Sequence, residues 1–349
     1  MLPPPWHYRN RTRLKVRVRP RRGASEEAGD AHFALGYYRF NSHELLPVEQ
    51  CPISSPLINR AIGVLWELGR AGQVNDAVAE IEFFAGAEDD RLLMELTLPD
   101  DYWTRPAKLG LTDFVGGLRR ALPELAGVAV FRAMQAGELS PRPAPRRRLP
   151  TGPPIREEVP EEFREIFGAD ELLYRAGGHE YHVSAGSFFQ TNRHLTAQLI
   201  ELVTAGRTGD AALDLYAGVG LFTAPLARQF ARVAAVEAAP FSFGDLRRNV
   251  PPNVEAYRQT TERYLAGLTA GAGFDLVVAD PPRAGLGERV AQLLAGLKAP
   301  RLTYVSCDPA TLARDLKVLM AAGFRLESML LVDVFPQTFH LESVSQLVR

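Results

Sequence analysis

Four short stretches in the C-terminal half carry residues that could do chemistry. One is VSCDPATLARDL, residues 305–316. Asp308 suits a helix N-cap and Pro309 a first helical position, so Cys307 is expected just outside a helix N-terminus, directly after a strand. The helix dipole and its free amides favour a thiolate there, which lowers the thiol pKa and suits a nucleophile better than an inert core cysteine. The chain has only 2 cysteines, and the other, Cys51, is far away in sequence. No disulfide framework and no metal site are therefore expected.

The second stretch, DLYAGVGLF (214–222), follows a strand and opens a helix. Gly218 and Gly220 form a G-x-G, but Thr223 stands where G-x-G-x-x-G continues, so a tight βα turn explains the pair equally well. Asp214, at the strand end, would repel a pyrophosphate but could balance the ammonium of S-adenosylmethionine (SAM). Glu237 ends the next strand, at the offset from which an acid accepts ribose hydroxyls. Together they favour an adenosine-containing cofactor. In the third stretch, DPPRAGL (280–286), the prolines stiffen a loop able to hold a planar base against Asp280, or an ordinary proline turn. Enzymes that methylate amino groups usually carry an aromatic residue after the prolines. Arg283 stands there and argues against adenine N6 as target. The fourth, FPQTFHLESVSQLV (335–348), reads as a turn followed by a strand. If that strand is the antiparallel last strand of a methyltransferase sheet, Glu342 near its start reaches the site of Cys307. His340, read on the same strand face, is given only packing or hydrogen bonding.

These stretches need a sheet edge to gather them. From TNRHLTAQLIELVTAG onward, strands AALDLYAG, VAAVEA, FDLVVAD and RLTYVSCD each precede a helical segment. That alternation implies a doubly wound α/β sheet over residues 186–349, with ligands beyond the strands' carboxyl ends. Residues 1–185 read as a mixed α+β domain. GYYRF, AEIEFF and RLLMELTL are expected strands, and SPLINRAIGVLWELGRAG an amphipathic helix. The proline-rich stretch at 140–160 is expected to be a loop or linker with a basic tip.

The net charge of −1 hides an asymmetry, because residues 6–22 hold 8 Lys/Arg and no acid. Leu14, Val16 and Val18 alternate there with Lys15, Arg17 and Arg19, a strand with one apolar and one cationic face. With Arg9, Arg11 and Arg13 it suits RNA phosphates, and Trp6 and Tyr8 suit unstacked bases. A merely solvated face is the alternative. The 46% hydrophobic and 23% charged fractions are ordinary for a globular protein. No apolar run reaches the roughly 18 residues of a membrane span. The start lacks a signal-peptide apolar region, and a cytoplasmic monomer is expected.

Taken together, PWHYRNRTRL, CPI, SFFQTN, DLYAGVGLF, DPPRAGL, VSCDPATLARDL and HLESV resemble the RNA 5-methyluridine methyltransferases, in family order and over nearly the whole chain. The resemblance implies a Rossmann-like SAM-dependent domain with a covalent mechanism. Cys307 matches the nucleophile and Glu342 the base that takes the C5 proton. Gln190, Tyr216, Leu221, Glu237 and Asp280 match SAM-contacting positions, Thr261 aligns loosely with another, and Arg13 matches an RNA-contacting one.

Two family features are missing. The chain has no room before Pro5 for the small β-barrel many relatives carry. Of the four cysteines that hold an iron–sulfur cluster in many relatives, only Cys51 is present, so no such cluster is expected. An RNA cytosine-C5 enzyme would usually carry a second cysteine where DPPR has none. Intact Cys307 and Glu342 argue against a noncatalytic RNA-binding relic. SCDPATLARD and CPI look more like the ribosomal branch, so rRNA, 23S first, is favoured over tRNA.

Overall fold

The computed structural model describes residues 4–18, 32–99, 102, 110–133, 164–268 and 273–349. The basic stretch at 140–160 and Arg19, Arg21 and Arg22 lie outside the described residues. In the first domain seven strands form one sheet: β1 (Arg11–Val18), β2 (Phe33–Tyr38), β3 (Leu45–Pro47), β4 (Glu80–Ala85), β5 (Leu92–Leu98), β6 (Leu125–Arg132) and β7 (Arg164–Gly168). Their order is β3-β2-β1-β4-β5-β6-β7. Only the β5–β6 pair is parallel. Helix α1 (Pro56–Arg70) starts where the sequence signals it: Pro56 is at the first position, and the Ser55 side chain accepts from the Ile58 amide. Its Leu57, Ile58, Ala61, Ile62 and Leu65, spaced by three and four, are buried with Leu14 of β1. Helix α2 (Leu111–Ala121) adds Leu111, Phe114, Val115 and Leu118 to the same core.

A hairpin, β8 (Glu171–Ala176) and β9 (His179–Ser184), lies between the two large sheets in chain order. Its two-residue turn is Gly177-Gly178, with φ of 57° and 75° at the two glycines. Positive φ at both central residues is what a tight hairpin turn requires. Helix α3 (Thr196–Thr204) is shorter than the segment 191–206 that the sequence suggests. The difference lies in Asn192, whose side chain accepts from the His194 amide and donates to Val334 O. It holds residues 191–195 in a turn.

The second sheet has the order β12-β11-β10-β13-β14-β16-β15. Strands β10 (Gly209–Leu215), β11 (Phe230–Glu237), β12 (Val254–Arg258), β13 (Leu276–Ala279) and β14 (Arg301–Ser306) are parallel. The last strand, β16 (Glu342–Val348), lies antiparallel between β14 and β15 (Arg325–Val332). Helices α4 (Thr223–Leu226), α5 (Pro240–Asn249), α6 (Thr261–Gly267), α7 (Gly287–Gly296) and α8 (Pro309–Ala321) connect the strands. The fold is thus the doubly wound, Rossmann-like α/β arrangement with its last strand reversed. Leu276 and Val278 of β13 join one core and Val277 and Ala279 the other, so that strand is buried on both faces and reads as an unbroken apolar run. The first of these cores also takes in Phe84, Leu93 and Phe131 of the N-terminal sheet. Among the described residues no helix is long and apolar enough to cross a membrane.

Candidate active site

The carboxyl ends of β10, β11, β13 and β14 and the start of β16 meet on one edge. At the end of β10, Asp214 is fully buried, and its Oδ2 accepts from Thr223 Oγ1 at 2.5 Å. Oδ1 has no protein partner. Burial pushes this carboxyl up to about 7, and the charge of Glu237 adds to the shift. The chain then turns through three residues of positive φ: Tyr216 (60°), Gly218 (55°) and Gly220 (93°). A Cβ at Gly218 would meet nothing within 4 Å, whereas one at Gly220 would lie 3.0 Å from Leu246 Cδ1 of α5. Gly218 therefore borders open space, and Gly220 makes room for a helix.

Glu237, at the end of β11, accepts from the Gly218 amide at 2.9 Å and the Ala239 amide at 2.6 Å. It thereby ties the glycine turn to the start of α5. Tyr216 hydrogen-bonds Thr261 at the start of α6 and is itself pushed up, chiefly by burial. The loosely aligned Thr261 is thus beside Tyr216. Leu221 borders the turn: its side chain joins the core beneath, and its carbonyl accepts from the Tyr181 hydroxyl at 3.0 Å.

Cys307 follows β14 and is part-exposed. Asp308 caps α8 by accepting from the Thr311 amide at 2.8 Å, and Pro309 opens the helix. The expected thiol shift is reversed, however. Burial pushes the Cys307 thiol above its ordinary value, the charges of Glu342 and Asp280 push the same way, and Arg283 opposes them. The helix N-terminus favours a thiolate, but burial and the carboxylates of Glu342 and Asp280 outweigh it.

Glu342 opens β16. Ser306 pairs with Ser343 across the β14–β16 ladder, and Ser343 Oγ donates to Ser306 O at 3.2 Å. In an antiparallel ladder the next residues outward are Cys307 and Glu342, so register alone puts them across from each other. Glu342 is 5% exposed, and burial pushes its carboxyl up to about 7. Asp280 stands well above the ordinary aspartate value through burial and the charges of Glu342 and Asp214. Gln190 Nε2 reaches Asp280 Oδ2 at 3.5 Å.

The N-terminal basic strand needs correction. Arg11 is buried, 7% exposed. It binds Glu82, Glu95 and the Ser187 carbonyl, so it is a structural residue and not an RNA contact. Glu82 and Glu95 face each other across β4 and β5, and Arg11 lies between the two carboxylates. Arg13 and Lys15 sit opposite Glu82 and Glu80 and pair with them. Much of the cationic face is thus cancelled by its neighbouring strands. The signal was present in AEIEFF, whose Glu80 and Glu82 alternate with Ile81 and Phe83 just as the basic residues alternate on β1. Arg17 is exposed, and the half-buried Arg9 is bridged to Ser54 on one side and Asn192 on the other.

Arg11 also helps to hold the segment that carries Gln190. Ser184 and Ser187 bond Asp245 of α5, and the Gly186 amide donates to Glu95. Single-stretch reading missed this scaffold, and also the exposed Phe188 (62%) beside Gln190. His340 is not on the strand but in the loop before it, where its ring meets Arg283. Cys51 is buried in the N-terminal core, with the Tyr37 hydroxyl donating to its sulfur at 3.9 Å. A lone cysteine does not fit the four-thiolate set of an iron–sulfur cluster.

A family model described as tRNA (Uracil-5-)-methyltransferase matches residues 169–349, the half that holds the whole edge. The chain belongs to this family. Members of this methyltransferase family use SAM, and the donor set here fits it: an unpartnered buried carboxylate oxygen at Asp214, open space over Gly218, and Glu237 at the end of the second strand. Over 331 residues the chain is 31% identical to an "Uncharacterized RNA methyltransferase" of Streptomyces avermitilis, covering 92% of this chain and 65% of that one. It is 29% identical over 350 residues to the 23S rRNA (uracil(1939)-C(5))-methyltransferase RlmD of Pectobacterium atrosepticum, covering 98% of this chain and 68% of that one. The chain therefore spans about two thirds of the length of these relatives. The Pyrococcus abyssi tRNA (uracil-54, C5)-methyltransferase, solved with S-adenosyl-L-homocysteine, shares the fold: TM-score 0.71 at 22% identity, over 99% of this chain and 77% of that one.

Proposed function

We propose that this tRNA (uracil-5-)-methyltransferase family member methylates C5 of a uridine in RNA through a covalent bond between Cys307 and C6. The observation that carries the reading is the β14–β16 register, from which the thiol and a buried carboxyl face each other beside the glycine turn. SAM supplies an electrophilic methyl group on a sulfonium.

C5 of uracil is a poor nucleophile. A bond from the Cys307 sulfur to C6 drives the C5=C6 electrons towards O4, and the resulting enolate is nucleophilic at C5. Once C5 is methylated, Glu342 removes its remaining proton. The freed pair restores C5=C6 and expels the thiolate. A carboxyl that titrates near neutrality suits that proton transfer. Because Asp280 and Glu342 hold their protons far above the usual carboxylate range, they repel the Cys307 thiolate less than two full charges would. Asp214 and Glu237 are assigned to the amino-acid and ribose ends of the cofactor, with Gln190 and Asp280 on the side facing Cys307 and Tyr216 and Thr261 lining the rest of its site. The uridine must leave any helical stack to reach Cys307.

RNA recognition is assigned to residues 1–185, chiefly through the exposed Arg17 with Arg9, since Glu82 and Glu80 already pair Arg13 and Lys15, and methyl transfer to residues 186–349. The match to RlmD favours rRNA as substrate, with tRNA second. Nucleoside mass spectrometry of rRNA and tRNA from a strain lacking the gene tests this. Loss of 5-methyluridine at one rRNA site, restored by the gene, supports it. An unchanged nucleoside profile in both RNA pools contradicts it.

A further inference from the structure

We propose that Arg283 is an RNA-phosphate ligand held in reserve by His340, and that a phosphodiester beside the extruded uridine takes the histidine's place when RNA docks. The inference rests on the functional reading above and extends it to a specific contact.

Arg283 lies in the loop after β13. Its carbonyl accepts from Thr311 Oγ1 at 3.2 Å, and the carbonyl of Ala284 accepts from Arg314 Nη2 at 2.7 Å. The loop is thus stapled to α8, the helix that begins just after Cys307. The guanidinium Nη2 lies 2.8 Å from His340 Nε2 and 3.3 Å from Nδ1. His340 sits in the loop that leads into Glu342. Since β14 lies between β13 and β16 in the sheet, a bridge from one loop to the other passes over the end of β14, and so over Cys307.

The partnership is weak for an arginine. Nη2 is within 3.3 Å of both ring nitrogens, which places it over the ring and along neither lone pair, so this donor-only group gains no strong hydrogen bond there. Burial, with Arg283 and Arg9 adding, holds His340 below its ordinary pKa. A ring with a lowered pKa offers the cation no opposite charge. Arg13 and Lys15 have carboxylates, whereas Arg283 has none within ion-pair distance among the described residues. A phosphodiester brings a full charge and oxygens that match the guanidinium fork.

The His340 loop is built for exchange at its tip. Its base is pinned, Asn192 donating to Val334 O and the Tyr8 hydroxyl to Pro336 O, both at 2.9 Å. Its tip carries Phe339, 83% exposed, with its ring 4.1 Å from that of His340. An exposed aromatic beside a cation that has the Asp308 charge nearby but no direct ion pair is a chemistry that recognises unstacked RNA.

The test uses a short uridine-rich single-stranded RNA, titrated at several salt concentrations, and the same RNA with 5-fluorouridine in the presence of SAM, which traps the methylated Cys307 adduct because C5 then carries no proton to remove. Arg283→Met should lower the slope of log K against log salt by about 0.7, one phosphate contact, and should raise the RNA concentration needed for half-maximal adduct formation. Its affinity for S-adenosylhomocysteine should stay that of wild type. His340→Ala should keep the slope and bind RNA at least as tightly, because no resting bond has to break. A wild-type slope in Arg283→Met overturns the inference, as does His340→Ala weakened in parallel with it, which would make the pair structural. If wild type forms the adduct and the slope is unaltered in Arg283→Met, only this inference falls. If wild type neither binds the RNA nor forms the adduct, the functional reading falls with it.

Discussion

Gly218→Ala should separate cofactor binding from folding. The residue has φ of 55°, so an alanine there carries left-handed strain of about 1–2 kcal/mol. Restriction of the unfolded chain returns about 0.4–1 kcal/mol, leaving a net stability loss of about 1 kcal/mol. The added methyl would meet no protein atom within 4 Å. It would occupy the open space assigned to the cofactor, so affinity for S-adenosylhomocysteine should drop at least tenfold, about 1.4 kcal/mol. Gly220→Ala is the opposite case. Its methyl would press on Leu246 at 3.0 Å in a strained turn, and overpacking adds about 1–3 kcal/mol to the stability loss. Calorimetric titration with S-adenosylhomocysteine and thermal unfolding of both variants read the two effects. If Gly218→Ala binds like wild type, the turn does not cradle the cofactor and the reasoning fails.

The buried carboxyl of Asp214 should couple SAM binding to pH. It titrates near 7, so binding an ammonium against it at lower pH must expel a proton; affinity should rise as pH rises through about 7 and then level, and Asp214→Asn should flatten the profile in a pH series of titrations. The sign for stability is the reverse. The folded state holds this proton more tightly than the unfolded chain, so stability should decline as pH rises from about 4 towards 7, a slope that Asp214→Asn loses in thermal melts. Arg11→Met should leave the buried Glu95 without its cation and the facing Glu82 with Arg13 alone, and cost about 3–5 kcal/mol in denaturant unfolding, whereas Arg13→Met, half exposed, should cost about 1 kcal/mol or less. Arg17→Ala should flatten the salt dependence of RNA binding by about one contact, and an unchanged slope would make that end of β1 a solvated face.

How much could be read from residues alone depended on how local each signal is. The cap at Asp308, the proline at 309, the glycine turn and the apolar run of β13 are written within a few residues of one another, and the strand–helix alternation follows from them. Strand β12 lacks that apolar run, and β15 carries one, Met329 to Val332, that is mostly exposed; neither was expected. The helix expected after the glycine turn is the four-residue α4, because only a few residues separate it from β11. Long-range charge was the main blind spot. Arg11 is an RNA-facing cation on one strand and a buried counter-ion once Glu82 and Glu95 are beside it. Cys307 suits a low-pKa thiol beside a helix and becomes a raised one once Glu342 and Asp280 arrive from other strands. His340 gained a partner only when β13 and β16 took their places on either side of β14.

The central claim is that Cys307 and Glu342 act in succession on one uridine. Glu342→Gln keeps the shape of the side chain but cannot accept the C5 proton. Incubated with RNA and methyl-labelled SAM, this variant should transfer one methyl group and stall with the RNA still bonded to Cys307. Denaturing electrophoresis should then show a labelled protein–RNA band that is absent in the double variant with Cys307→Ala. Free turnover by Glu342→Gln, or no band from a variant that still binds RNA and SAM, would contradict the account.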